Sequence, residues 1–288
     1  MAHKHTIVCV IGTRPEAIKM APVISALCNS DWARCFVVAT AQHRGLLDQT
    51  LAQFQIVPDV DLDLMVEGQA MVDLTSRLLP ALSTAMAGLE ASAVLAQGDT
   101  ATVFAAALVA YFAGIPFGHV EAGLRTHDIR EPFPEEGFRQ MTARVARWHF
   151  APTEGAAANL RNEGVAADQI HVTGNTGIDA LMSIAANTAN KDPGVDGTKL
   201  VLVTAHRRES FGEPMRNIFL GVRKLADCYP DIKVICPVHP NPNVQAMAHA
   251  VLGHRLLLSS NTRLRGRTGD DVLDEILQTV PVPIAESA

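Results

Sequence analysis

The stretch "AVLAQGDTATVFAAALVAYFAGIP", residues 93–116, decides the fold. Its short apolar start reads as a strand, Gly98-Asp99-Thr100 as a turn, the alanine-rich run as a helix, and Gly114 with Pro116 as stop signals. A strand followed directly by a helix calls for a crossover to a parallel neighbour, so the unit predicts a β–α–β fold. Comparable apolar runs recur outward from it: "TIVCVIG", "CFVVATA", "FGHVEAG", "RWHFAPT", "IHVTGN", "KLVLVTAHR" and "KVICPVH". Most are separated by segments with helical spacing. The class is α/β with parallel sheets buried on both faces.

Ligands of open α/β sheets lie beyond the carboxyl ends of the strands, and those ends are polar here. They read Thr13-Arg14, Gln42-His43-Arg44, Asp99-Thr100, Glu121, Asn175-Thr176, His206-Arg207-Arg208-Glu209 and His239. In "VIGTRPEAIKM", Thr13 and Glu16 form a capping box, which leaves Arg14 and Lys19 unexplained. Two cations beside the positive end of a helix imply a bound anion.

The chain of 288 residues is 48% hydrophobic with a formal charge of −6, which suits a globular protein of two domains and argues against nucleic acid or an anionic membrane surface. Five cysteines form no CxxC pair and read as small core residues in a reducing compartment, with no metal bound by cysteine. "MAHKHTIVCV" lacks a signal-length apolar stretch and no run of membrane-spanning length follows, so a cytoplasmic location is expected. Dinucleotide, P-loop and zinc-protease motifs are absent. His249 and His254 lack the same-face helical spacing of metal ligands. No cofactor and no metal are expected.

The segments "GTRPEAIKMAP", "TAQHRGLLDQ", "QGDTATVFAAALVAYFAGIPFGHVEAGLRT", "PFPEEGFRQ", "GNTGIDAL", "VTAHRRESFG" and "PVHPNPNV" resemble the non-hydrolysing UDP-N-acetylglucosamine 2-epimerases of bacterial type, over about residues 5–253. The resemblance implies two Rossmann-like domains facing across a cleft, the arrangement called GT-B. It implies interconversion of UDP-N-acetylglucosamine and UDP-N-acetylmannosamine, and a homodimer. It makes Arg14 and Lys19 ligands of the diphosphate and sugar, and Asp99, Glu121 and Glu135 the carboxylates around the sugar. Arg139 lies nearby, His206 is the further catalytic candidate, and Asn175 in "GNTGIDAL" is a substrate-binding candidate. Gln42, Glu136, Arg207 and His239 match parts of an allosteric activator region. Two departures are Gly45, where activator-regulated members carry glutamine, and Phe138, where asparagine is common. A GT-B glycosyltransferase and an inactive nucleotide-sugar-binding fragment are the alternatives.

The C2 hydrogen of the sugar is not adjacent to a carbonyl, and no nicotinamide motif supports transient oxidation. Elimination of UDP to a 2-acetamidoglucal and re-addition from the other face is the remaining route, and it needs cations for the diphosphate and at least two acid–base groups.

The expected domains are residues 1–168, a second Rossmann-like domain on the UDP side over 169–253, and an aberrant tail over 254–288. The polar stretch 185–199 is expected to be a loop inside the second domain. "RLLLSSNTRLRGRTGDDVLDEILQTVPVPIAESA" does not match the family pattern, and a change of reading frame is the expected cause. A second sheet left short by that tail is expected to expose apolar surface, with low activity.

Overall fold

The computed structural model describes residues 4–40, 44–64, 66, 68–188, 199–205 and 211–236. It divides into two compact units, residues 1–188 and 189–288.

The first unit is a seven-stranded sheet in the order β3-β2-β1-β4-β5-β6-β7, every neighbouring pair parallel. Its strands are β1 (His5–Ile11), β2 (Ala33–Ala39), β3 (Val60–Asp61), β4 (Ala91–Gln97), β5 (Phe117–Val120), β6 (Trp148–Ala151) and β7 (Ile170–Val172). The helices are α1 (Arg14–Cys28), α2 (Arg44–Gln53), α3 (Met71–Met86), α4 (Ala101–Phe112), α5 (Glu135–Val145), α6 (Glu154–Asn162) and α7 (Thr176–Thr188).

Alternation of side chains sorts the strands onto two cores. Val8, Val10, Phe36, Val38, Val94, Ala96 and Phe117 face Leu74, Leu78, Leu82 and Met86 of α3 together with α4. Ile7, Cys9, Ile11, Val37 and Val120 face Ala17, Met20, Ile24 and Leu27 of α1, with Leu47 and Leu51 of α2. Both faces are apolar and both are covered, as the continuous hydrophobic runs require. Helix α4 is buried nearly all round, which explains its alanines: small side chains let it lie close to the sheet while α3 and α5 flank it. Where α4 begins, a Cβ on Gly12 would stand 2.3 Å from Thr102 Oγ1, so only glycine fits that crossing.

All eight strand-like runs are strands, and β3 is an additional two-residue strand. The domain boundary differs from the expectation. β7 pairs with β6 from Ile170↔His149 to Val172↔Ala151, the Thr173 N–H donates to Ala151 O at 3.0 Å, and α7 packs on α1. These bonds tie residues 169–188 to the first unit, and the seam falls after Thr188 rather than near residue 168. Of the polar stretch 185–199, residues 185–188 end α7 in the first unit, and 189–198 lie outside the described residues.

In the second unit, β8 (Lys199–Leu202) and β9 (Ile232–Ile235) pair in parallel in register Lys199↔Ile232 to Leu202↔Ile235, connected through α8 (Glu213–Cys228). Met215 and Phe219 are its buried apolar centre, with Ala205, Phe211 and Cys236 packed around them. Residues of the expected tail, 254–288, lie outside the described residues.

Candidate active site

Sheet order reverses between β1 and β4, so the chain leaves those two strands in opposite directions. That switch point is where an open α/β sheet opens a crevice. Thr13 caps α1 and Thr100 caps α4 there, each accepting from the backbone N–H three residues on. Glu16 joins the two caps. Its carboxylate accepts from Gly12 N–H at 2.5 Å, Thr13 N–H at 3.3 Å and Thr100 Oγ1 at 2.7 Å. Burial pushes its pKa from 4.5 to about 7, against the lowering effect of those donors. The capping box is present as expected, but its acid also braces the second helix start.

Around this crossing the structure brings together Lys19, Glu121, Asn175, Asp99, Arg139 and Glu136. Lys19 Nζ meets Glu121 Oε2 at 2.5 Å. Gln97 Nε2 donates to the same oxygen, and Asn175 Nδ2 donates to Oε1 at 3.5 Å. Glu121 stands at φ 63°, a left-handed backbone that a non-glycine residue adopts at a cost of about 1–3 kcal/mol. Strain of that kind persists only where surrounding bonds over-determine it, and here three side chains fix the carboxylate.

The second assembly is centred on Arg139. Its Nε donates to Asp99 Oδ2 at 2.8 Å, and its Nη1 to Glu136 Oε2 at 2.8 Å. Burial works to lower the Arg139 pKa, but the charges of Asp99 and Glu136 outweigh it and raise the value. Glu136 is 0% exposed and also accepts from Gln140 Nε2 at 3.0 Å and Thr126 N–H at 3.3 Å. Burial raises its pKa, and the donors from Gln140, Arg139 and Thr126 prevail and lower it. An enclosed carboxylate with both oxygens taken orients Arg139.

Glu135, the first residue of α5, is half-buried near the helix start. Arg14 is exposed, and among the described residues it makes no ion pair. Phe138 turns into the core and stacks on Phe104 at 5.5 Å, so this departure fills space beneath α5. His206, Arg207, Gln42 and His239 lie outside the described residues.

Two contributors, Gln97 and His119, escaped sequence reasoning, and the partner of Thr100 did too. Gln97 and Thr100 flank the Gly98-Asp99 turn and their partners are distant in sequence. His119 Nε2 lies 2.7 Å from Gly98 O, and since a carbonyl only accepts, the imidazole donates there. Burial lowers its pKa to about 4 and keeps it neutral. The signal available was a histidine inside a buried strand, two residues before Glu121.

Strand order and strand-end chemistry define the class: a doubly wound α/β domain of the Rossmann type, with cation–carboxylate pairs at the switch point. The family model described as UDP-N-acetylglucosamine 2-epimerase matches residues 25–264. UDP-N-acetylglucosamine 2-epimerase of Escherichia coli (strain K12) is 44% identical over 259 residues, covering 86% of this chain and 69% of that protein. The crystal structure of UDP-GlcNAc 2-epimerase from Neisseria meningitidis, bound to UDP-GlcNAc, superposes with a TM-score of 0.75 at 42% identity, over 86% of this chain and 69% of that one. A putative UDP-N-acetylglucosamine 2-epimerase from Listeria monocytogenes gives 0.79 at 43% identity, over 87% and 67%. The chain belongs to the UDP-N-acetylglucosamine 2-epimerase family. Among the described residues, no helix is long and apolar enough to cross a membrane, and no cluster of His, Cys, Asp or Glu could hold a metal ion.

Proposed function

We propose that this protein interconverts UDP-N-acetylglucosamine and UDP-N-acetylmannosamine by eliminating UDP across C1 and C2 and adding it back with the proton delivered to the opposite face. The observation that carries the reading is the pair of carboxylates at one switch point, Glu121 held by Lys19 and Asp99 held by Arg139. The reaction needs fixed acids and bases on a sugar beside cations for a leaving diphosphate, and these residues supply both types. Asp99, Glu121 and Glu135 are the acid–base groups. Lys19, Arg139 and Asn175 orient sugar and carboxylates, and Arg14 receives the diphosphate. Roles for His206, and for Gln42, Arg207 and His239 toward an activator, rest on the resemblance. A second Rossmann-like domain on the UDP side, ending near residue 253, rests on the resemblance. The reading includes a cytoplasmic homodimer without nucleic-acid partners, the last supported by the −6 charge.

The test is incubation of the purified protein with UDP-N-acetylglucosamine in heavy water, followed by NMR. Deuterium at C2 with the manno epimer supports the reading. Sugar transfer to an added acceptor would make it a glycosyltransferase, and binding without exchange an inactive nucleotide-sugar binder. Light scattering of the same sample tests the dimer.

A further inference from the structure

Among the described residues, three buried side-chain atoms have no protein hydrogen-bond partner: His119 Nδ1, Thr142 Oγ1 and His149 Nδ1. All three residues are fully enclosed, and they share one layer. His119 and His149 are register partners on the parallel strands β5 and β6, so both rings leave the sheet on the same face. Phe117, two residues before His119, marks that face as the one beneath α5, because it shares a core with Phe138. Ala151, two residues after His149, packs with Ala143 of the same helix. Thr142 is one turn beyond Phe138 and adjacent to Ala143, on the buried side of α5. The apolar side chains that border this layer are small, Ala122, Ala143 and Ala151.

An unpaired buried polar atom is costly, and three in one layer point to a shared partner. Their donor and acceptor capacities suit water. His119 spends its Nε2–H on Gly98 O at 2.7 Å, and a neutral imidazole then offers only a lone pair at Nδ1. Burial keeps the ring neutral against the pull of the Gly98 bond, and the charges of Arg125 and Arg139 act with burial. Thr142 Oγ1 can donate or accept, and His149 Nδ1 takes either role according to its tautomer. A buried water commonly makes about three hydrogen bonds to such groups.

We propose that one buried water joins His119 Nδ1, Thr142 Oγ1 and His149 Nδ1, and that His119 is a positioning residue that holds Asp99 in place through the Gly98 carbonyl. The second half rests on the reading of Asp99 as an acid–base group. Gly98 O lies in the same peptide plane as the Asp99 N–H, so fixing the carbonyl fixes the approach of the chain to Asp99. On its other side, Gly98 N–H donates to Val120 O at 3.1 Å. Arg139, one turn before Thr142 on α5, holds the Asp99 carboxylate. Helix α5 therefore reaches Asp99 twice, at the side chain through Arg139 and at the backbone through Thr142, the water and His119.

The test compares His119→Phe, which keeps a ring and removes both nitrogens, with His119→Gln, whose amide N–H can still reach Gly98 O. With UDP-N-acetylglucosamine, His119→Phe should lower kcat roughly 10–100-fold, the scale for a catalytic group displaced by about 1 Å, with KM changed less than about threefold. His119→Gln should recover most of that loss. Thr142→Val should lower kcat in the same direction by less, Thr142→Ser should restore it, and this pair decides the role if His119→Phe does not fold. The network is read without turnover: long-range proton–nitrogen NMR of the isotope-labelled protein near neutral pH should show His119 protonated at Nε2 alone, with magnetisation transfer from a bound water to both rings. In His119→Phe, amide exchange at Gly98 should quicken while Val94 stays protected. Undiminished kcat in His119→Phe, an equal loss in His119→Gln, or a rise in KM alone overturns the positioning role. A proton on His119 Nδ1, or rings without a water signal, overturns the network. Should the parent lack turnover while the spectra appear as described, the epimerase reading fails and the network stands.

Discussion

Strand β4 in the first unit and strand β8 in the second are built from the same local pattern, an apolar run followed by a turn and a helix, yet they finish in different environments. Val94 of β4 is fully buried between two helical layers, whereas Leu202 of β8 is 65% exposed. The seven-stranded sheet is covered by α3 and α4 on one face and by α1 on the other. Among the described residues the two-stranded sheet has one small cluster around Met215 and Phe219. Local pattern makes a strand; coverage of both faces makes a core, and a two-stranded sheet alone is marginal. Rigid placement of acid–base groups therefore belongs to the first unit, where the strand ends are fixed.

The largest expected effect tests that assignment. Asp99→Asn keeps the size of the side chain but removes its charge and its ion pair with Arg139, so turnover of UDP-N-acetylglucosamine should fall by roughly 10²–10⁴-fold. Steady-state kinetics alongside hydrogen exchange reads the outcome: activity lost, with amides of β1 and β4 still protected. Undiminished turnover would remove the switch point from the chemistry.

Next in size is an ion pair that only a well-covered sheet could bury. Arg125 is 1% exposed at its side chain and forks onto Glu163, with Nε to Oε1 at 2.6 Å and Nη2 to Oε2 at 2.8 Å. Arg125→Met strands the acid, and thermal unfolding of the first unit should lose about 3 kcal/mol, near the low end for a broken buried pair because Glu163 retains some contact with water. Hydrogen exchange in β8 and β9 should not change.

A pH-dependent effect follows from Glu16. Its pKa is raised from 4.5 to about 7, so the folded chain holds the proton more tightly than the unfolded chain. The resulting stability is fully present below pH 4.5 and is lost as pH rises through about 7, a change of roughly 3 kcal/mol. His119 and His149, lowered by burial to about 4, act oppositely: their contribution is present above 6.5 and lost as pH falls through about 4. Denaturant titrations of Glu16→Gln and the parent across pH 4.5–8 isolate the first term. The difference between them should carry the Glu16 slope, and parallel curves would contradict it.

How much of this was legible in the sequence depended on range. Every strand-like apolar run formed a strand, and in β1, β2, β4 and β5 burial on both faces is what leaves the continuous hydrophobic signal, while Val60–Asp61 is too short to carry one. The first unit was read as ending too early because "IHVTGN" looks like the opening of a new β–α unit; only pairing of Ile170–Val172 with β6 shows where it belongs. Strand-end polarity pointed to Asp99, Glu121 and Asn175, and charge at a helix start pointed to Arg14 and Lys19. What joins Lys19 to Glu121 is a contact across 102 positions, which no local periodicity encodes. Glu136, which the resemblance matches to part of an activator region, turns inward on α5 to Arg139, a contact that its place in the sequence does not encode.

The smallest expected effect sharpens the contrast from the other side. Lys199 and Asp231 approach to 3.4 Å at the start of the β8–β9 pair, with side chains 81% and 60% exposed. Water screens both charges, and holding two long side chains in one geometry costs entropy that offsets the attraction. Lys199→Ala should therefore change the stability of the second unit by less than about 1 kcal/mol, and added salt should erase the difference. Amide exchange at Leu200 and Val234 gives the measurement without relying on a global melt. A loss comparable to that of Arg125→Met would mean that β8 and β9 are organised by charge at their exposed ends, and that coverage by apolar layers is not what separates the two sheets.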